Sequence, residues 1–115
     1  MRRSIAVVFG LLATSGPAPA HSLLLSSLPA AGSTVAAPSH LKFSFSGGVE
    51  PGLTGANLKC SGSDIAPIGK PAISPDNRVV EIALPMLPKG LCIVYWHAVS
   101  VDGHRIKGEF GFTVR

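Results

Sequence analysis

Apolar and polar positions alternate with a period of two along much of this chain after residue 40. In Leu-Lys-Phe-Ser-Phe (41–45), Leu41, Phe43 and Phe45 fall on one side, and in Phe-Gly-Phe-Thr-Val (110–114), Phe110, Phe112 and Val114 do the same. Successive side chains of an extended strand point to opposite faces, so both stretches predict strands with one face buried. Gly-Ala-Asn-Leu-Lys-Cys (55–60), Arg-Val-Val-Glu-Ile-Ala-Leu (78–84) and Leu-Cys-Ile-Val-Tyr-Trp-His-Ala-Val-Ser (91–100) read as further strands, with Val80, Ile82 and Leu84 in phase. Each is bounded by turn-forming residues: Pro51-Gly52, Ser61-Gly62, Pro75-Asp76-Asn77 and the run from Pro85 to Gly90. No stretch after residue 21 keeps a helical period for three turns without a Pro or Gly. With one more strand around Leu23–Ser27, about seven strands are predicted. The fold class is all-β, an antiparallel Greek-key β-sandwich of the Ig-like or cupredoxin-like kind.

The first twenty residues have a different character. Arg2 and Arg3 precede an apolar run from Ile5 to Ala13, followed by Ser, Gly and Pro and then Ala18-Pro19-Ala20. A basic start, a short apolar stretch and small residues at −3 and −1 predict a signal peptide, residues 1–20, cleaved after Ala20. The apolar run is about half the roughly twenty residues that a membrane span needs. The expected mature domain is 21–115, exported to the periplasm. No second apolar segment follows, so no membrane insertion is expected after cleavage.

The full chain has 115 residues, 46% of them hydrophobic and 14% charged, the balance of one globular domain. Its formal net charge of +4 falls when Arg2 and Arg3 are removed, leaving eight basic residues against six acidic ones. Those eight are scattered singly and never interleave with aromatics as a basic cluster, so nucleic-acid binding has no support. Hydrolytic catalysis has none either, because no Ser, His and acidic residue are spaced as a nucleophile motif.

The candidate chemistry lies at the two ends. Strands 91–100 and 106–114 are expected to pair through the turn that holds Val101-Asp102-Gly103-His104. Residues two apart in extended chain point the same way, so Asp102 and His104 can converge, and Gly103 lets the backbone bend between them. An ordinary Asp-Gly turn, with Asp102 capping its own backbone and His104 solvated, accounts for the same residues. His21 adds weight to the first account. Cleavage after Ala20 leaves a histidine whose α-amine and Nδ1 can chelate one ion. With His104 as a third nitrogen and Asp102 as an oxygen donor, His21, Asp102 and His104 make a set suited to one Cu(II) ion. The alternative is that cleavage leaves a histidine there by coincidence.

These segments resemble the CopC family of copper-binding proteins. The likeness covers essentially all of 21–115, from the segment 21–35 (His-Ser-Leu-Leu-Leu-Ser-Ser-Leu-Pro-Ala-Ala-Gly-Ser-Thr-Val) through 41–51 to Gly-Leu-Cys-Ile-Val-Tyr-Trp-His-Ala-Val-Ser-Val-Asp-Gly-His (90–104) and Lys-Gly-Glu-Phe-Gly-Phe-Thr-Val (107–114). The resemblance implies a periplasmic copper resistance protein whose Cu(II) ligands are His21, Asp102 and His104. It also implies sequestration of copper or its delivery to a CopD-type inner-membrane copper transporter. Two departures stand out. Many relatives carry Ser-Glu-Pro-Val-Glu-Pro where this chain has Ser46-Gly47-Gly48-Val49-Glu50-Pro51, so an acidic residue is replaced by Gly47. The mature chain also has a single methionine, Met86, so a thioether-rich Cu(I) site is not available.

Cys60 shares a strand face with Leu58, and Cys92 shares one with Val94 and Trp96, positions of the family's core pattern, so both thiols are expected to point inward. An exported domain with this pair is expected to form a Cys60–Cys92 disulfide. A buried free pair, or a soft metal site completed by a histidine, remains the alternative. His40 and His97 are read as surface residues and Trp96 as core. The expected function is equilibrium Cu(II) binding without catalysis. The competing classes are a copper-dependent oxidative enzyme with a histidine brace, as in lytic polysaccharide monooxygenases, and a metal-free adhesion or scaffold sandwich.

Overall fold

A computed structural model describes residues 22–115; the predicted signal peptide and His21 lie outside the described residues. The described residues form nine strands: β1 (Leu24–Leu28), β2 (Thr34–Val35), β3 (His40–Phe45), β4 (Gly55–Cys60), β5 (Ser63–Ile65), β6 (Ile68–Ile73), β7 (Val79–Ala83), β8 (Gly90–Val99) and β9 (Arg105–Val114). The only other regular element among the described residues is a 3₁₀ turn at Pro51–Leu53. None of the described helical structure is long and apolar enough to cross a membrane.

The strands form two packed sheets, ordered β1-β3-β7-β6 and β2-β9-β8-β4-β5. The chain changes sheet between β1 and β2, β2 and β3, β3 and β4, β5 and β6, and β7 and β8, which gives Greek-key connections. Pairing is antiparallel except for β2, which runs parallel to the end of β9. The predicted inward positions are the core: Leu41, Phe43, Phe45, Leu58, Val80, Ile82, Leu84, Val94, Phe112 and Val114 are all buried. Phe43 of one sheet meets Phe110 of the other edge to face, with centroids 6.2 Å apart.

Three of the nine strands, β2, β5 and β6, match no stretch read as a strand from the sequence, each with an identifiable cause. β2 is two residues long, too short to show alternation, and exists through its hydrogen bonds to β9. β5 follows the tight turn at Ser61 and Gly62, both with positive φ, which returns the chain onto β4. β6 contains Gly69 and Pro71, which interrupt any apolar pattern. It is an edge strand, where a missing backbone donor is tolerated.

Trp96 is half-buried. Its ring packs on Phe45 at 5.8 Å and lies over Gly108, where a Cβ would be only 2.8 Å from Trp96 Cζ2. Cys60 and Cys92 are directly opposite each other on β4 and β8, fully buried and joined as a disulfide. The pairing was within reach of the sequence because both residues fall on inward positions of adjacent strands.

Candidate metal centre

Strands β8 and β9 are hydrogen-bonded along their whole length, ending at Val99 opposite Arg105. The reversal therefore falls on residues 100–104. Two backbone bonds close it: Gly103 N donates to Ser100 O and Ser100 N to His104 O, both at 2.8 Å. Gly103 sits at φ +92°, a conformation that residues with a Cβ rarely adopt, so this turn depends on glycine.

The turn brings Asp102 and His104 together. His104 Nδ1 lies 3.0 Å from Asp102 Oδ1, and His104 N donates to the same oxygen at 3.2 Å. Convergence thus comes from a tight turn and not from two positions along an extended strand. Asp102 caps the turn backbone, as an ordinary Asp-Gly turn predicts, and also meets the His104 imidazole. Its side chain is 25% exposed and that of His104 61%, so the pair faces solvent at one end of the sandwich. An open groove of about 800 Å³ runs beside it, lined in part by Gly103, His97 and Arg105.

Ser100 is the residue that sequence reading missed. It is fully buried at the end of β8, and its hydroxyl donates to Asp102 Oδ1. That bond is the main reason the Asp102 carboxyl is lowered from 3.8 to about 2; the hydrogen bonds from His104 act in the same direction and desolvation opposes them. Asp102 is therefore an anion throughout the physiological range. The signal available in the sequence was only a serine two residues before an aspartate, a common arrangement.

Asp102 and His104 thus offer one oxygen and one nitrogen donor side by side, 3.0 Å apart, the donor types that suit a tetragonal cation, while Oδ1 also accepts from Ser100 Oγ and His104 N. Among the described residues no group of three His, Cys, Asp or Glu side chains comes together, so Asp102 and His104 stand as a pair.

The third predicted ligand, His21, lies outside the described residues, but its neighbour Ser22 does not. Ser22 is buried, and its hydroxyl donates to Gly48 O at 2.7 Å; the same carbonyl accepts Val101 N at 3.1 Å. The chain therefore enters the fold beside the turn. Gly47 lies against Ser22, and Glu50 is exposed, as expected for an edge residue. His40 and His97 are exposed; His40 Nδ1 pairs with Ser39 Oγ, and the His97 ring lies against Gly55.

A family model, the CopC domain, matches residues 24–115. The chain is 36% identical to protein YobA of Escherichia coli (strain K12) over 120 residues, covering 98% of this chain and 96% of the relative. It is 37% identical over 124 residues to copper resistance protein C of Pseudomonas syringae pv. tomato, covering 99% and 97%. The crystal structure of PcoC, a methionine-rich copper resistance protein from Escherichia coli, superposes with a TM-score of 0.73 at 37% identity. That match covers 84% of this chain and 100% of PcoC.

Proposed function

This chain belongs to the CopC family of copper resistance proteins, and we propose that it binds one Cu(II) ion through the α-amine and imidazole of His21, the Asp102 carboxylate and the His104 imidazole. The observation that carries this reading is the shared Gly48 carbonyl. It ties Ser22, one residue from His21, to Val101, one residue from Asp102. Ser22, the residue bonded to His21, is thereby held beside the turn.

In this proposal residues 1–20 are a signal peptide, 21–115 are the mature domain and the site of action is the periplasm. The protein sequesters copper or passes it to a CopD-type inner-membrane transporter. Binding is an equilibrium and not a catalytic cycle. Asp102 beside His104 fills a position that an oxygen-activating centre keeps open, which favours storage or transfer over oxidation. Unlike its methionine-rich relative, the chain offers only Met86 after the predicted cleavage, so Cu(II) and not a thioether-bound Cu(I) is the expected cargo.

The amine and imidazoles must be deprotonated to bind, so affinity rises with pH and acidification releases the ion. The decisive experiment titrates Cu(II) into protein that begins at His21 and into protein with one extra alanine ahead of it. The extension is expected to weaken binding by orders of magnitude and to change the nitrogen coupling in the EPR spectrum. Equal binding by the two proteins overturns the ligand set.

A further inference from the structure

We infer that Ser22 is a positioning residue for this centre: its hydroxyl, held by the Gly48 carbonyl, sets where the N-terminal segment meets the Asp102–His104 turn. The inference rests on the ligand set proposed above.

Ser22 is 1% exposed. Chain termini are ordinarily the least ordered part of a domain, and serine is ordinarily solvated, so this burial needs a cause. The cause is a fitted partner: Oγ donates to Gly48 O at 2.7 Å. The second lone pair of that oxygen takes Val101 N at 3.1 Å. One carbonyl thus joins the segment ahead of β1 to the turn, with the two donors no more than about 6 Å apart, the sum of the two contacts. Leu23 is fastened as well. Its N–H donates to Ser46 Oγ at 2.8 Å, and Ser46 N returns a bond to Leu23 O at 2.8 Å. Three bonds onto residues 46–48 remove the freedom of the segment just ahead of β1.

The 46–48 loop is shaped for this contact. A Cβ on Gly47 would lie 3.1 Å from Ser22 Oγ, and one on Gly48 would lie 3.2 Å from Val101 Cγ1. A side chain at either position would press on one of the two groups that the Gly48 carbonyl joins. The adjacent glycines leave room for Ser22 on one side and Val101 on the other.

A chelate assembled from two chain segments binds more tightly when the segments are already held together, because ordering then occurs on folding and not on metal capture. Serine does this without donating to the ion. Its removal orphans no buried acceptor, since Val101 N still reaches Gly48 O.

The test compares wild type, Ser22→Ala and Ser22→Thr, all beginning at His21, with the alanine-extended wild type as reference. The measurements are competitive Cu(II) titration, Cu(II) EPR, and amide NMR and melting of the metal-free proteins. Ser22→Ala is expected to lower Cu(II) affinity about tenfold, the scale set by one hydrogen bond. It should also shift the Val101 amide resonance and lower the metal-free melting temperature by no more than about 7 °C, the most that loss of the same bond can take from the folded state. Ser22→Thr, which keeps the hydroxyl, is expected to restore affinity. Wild-type affinity and EPR in Ser22→Ala overturn the role of Ser22 while leaving the ligand set standing. A loss that Thr does not rescue, accompanied by a much lower melting temperature, also overturns it. If wild type fails to bind Cu(II), or the extended protein binds equally well, the ligand set falls and the positioning role falls with it.

Discussion

Replacing both Cys60 and Cys92 by alanine tests how much of this fold's stability comes from one cross-link. The disulfide closes a loop with a sequence separation of 32. The chain entropy removed from the unfolded state by such a loop corresponds to about 3–4 kcal/mol at 25 °C. Both sulfurs are fully buried between the sheets, so their loss adds small voids and pushes the cost upward. A domain of this size has an unfolding entropy of about 0.2 kcal/mol/K, which converts the loop term into a fall in Tm of about 15–20 °C. The assay is calorimetric melting of oxidised wild type and the double variant in metal-free buffer, with denaturant titration in parallel. The cross-link acts on the unfolded chain, so the variant should also show a larger m value. Wild type denatured without reductant should show no reactive thiol, and its intact mass should be lower by two hydrogens than that of the reduced form. Cys92 and Ser100 lie eight residues apart along β8, about 26 Å at strand rise. Cu(II) affinity below the Tm should therefore be unchanged. A Tm shift smaller than about 5 °C would refute the loop-entropy reasoning, and a loss of copper affinity in the folded variant would refute the separation of cross-link and site.

Other outcomes follow from the same geometry. Ser100→Ala removes the main cause of the depressed Asp102 pKa, so an NMR titration of that carboxyl should move from about 2 toward 3.8; an unchanged value would show that His104 alone holds it down. A carboxyl depressed on folding contributes stability that is present above its unfolded pKa and lost as pH falls through the folded value. The melting difference between wild type and Asp102→Asn should accordingly shrink between pH 3.8 and about 2. Gly108→Ala drives a Cβ to 2.8 Å from Trp96 Cζ2. It should lower stability by about 1–3 kcal/mol and shift the Trp96 fluorescence, and a neutral effect would mean that the ring moves aside freely. Asp102→Asn should also weaken Cu(II) binding while retaining the fold, measured by competitive titration and circular dichroism.

β3, β7, β8 and β9 were legible in the sequence because burial of one strand face imposes a period of two whatever the partner strand is. The disulfide was legible for the same reason, since inward positions on neighbouring strands leave two thiols facing each other. β2 and β6 carried no such imprint. Their extended state comes from hydrogen bonds to β9 and β7, and an edge strand can hold Gly69 and Pro71 without losing its ladder on the paired side. Asp102 and His104 were found by residue type and spacing, but the reason they touch is the backbone turn closed by Gly103 and Ser100.

Local order in the chain, then, was enough to specify strand faces, core residues and the nearness of Asp102 and His104, because each depends on positions a few residues apart; the two cysteines, 32 positions apart, were left for folding to bring together. Folding added which polar groups are enclosed and what each of them then meets. Ser100 became the controlling partner of Asp102 by being buried beside it, and Ser22 was joined to Val101 through a carbonyl 26 residues further along the chain. A serine hydroxyl has no preference strong enough to announce such a role. Only enclosure, which removes water as the competing partner, makes one particular hydrogen bond obligatory.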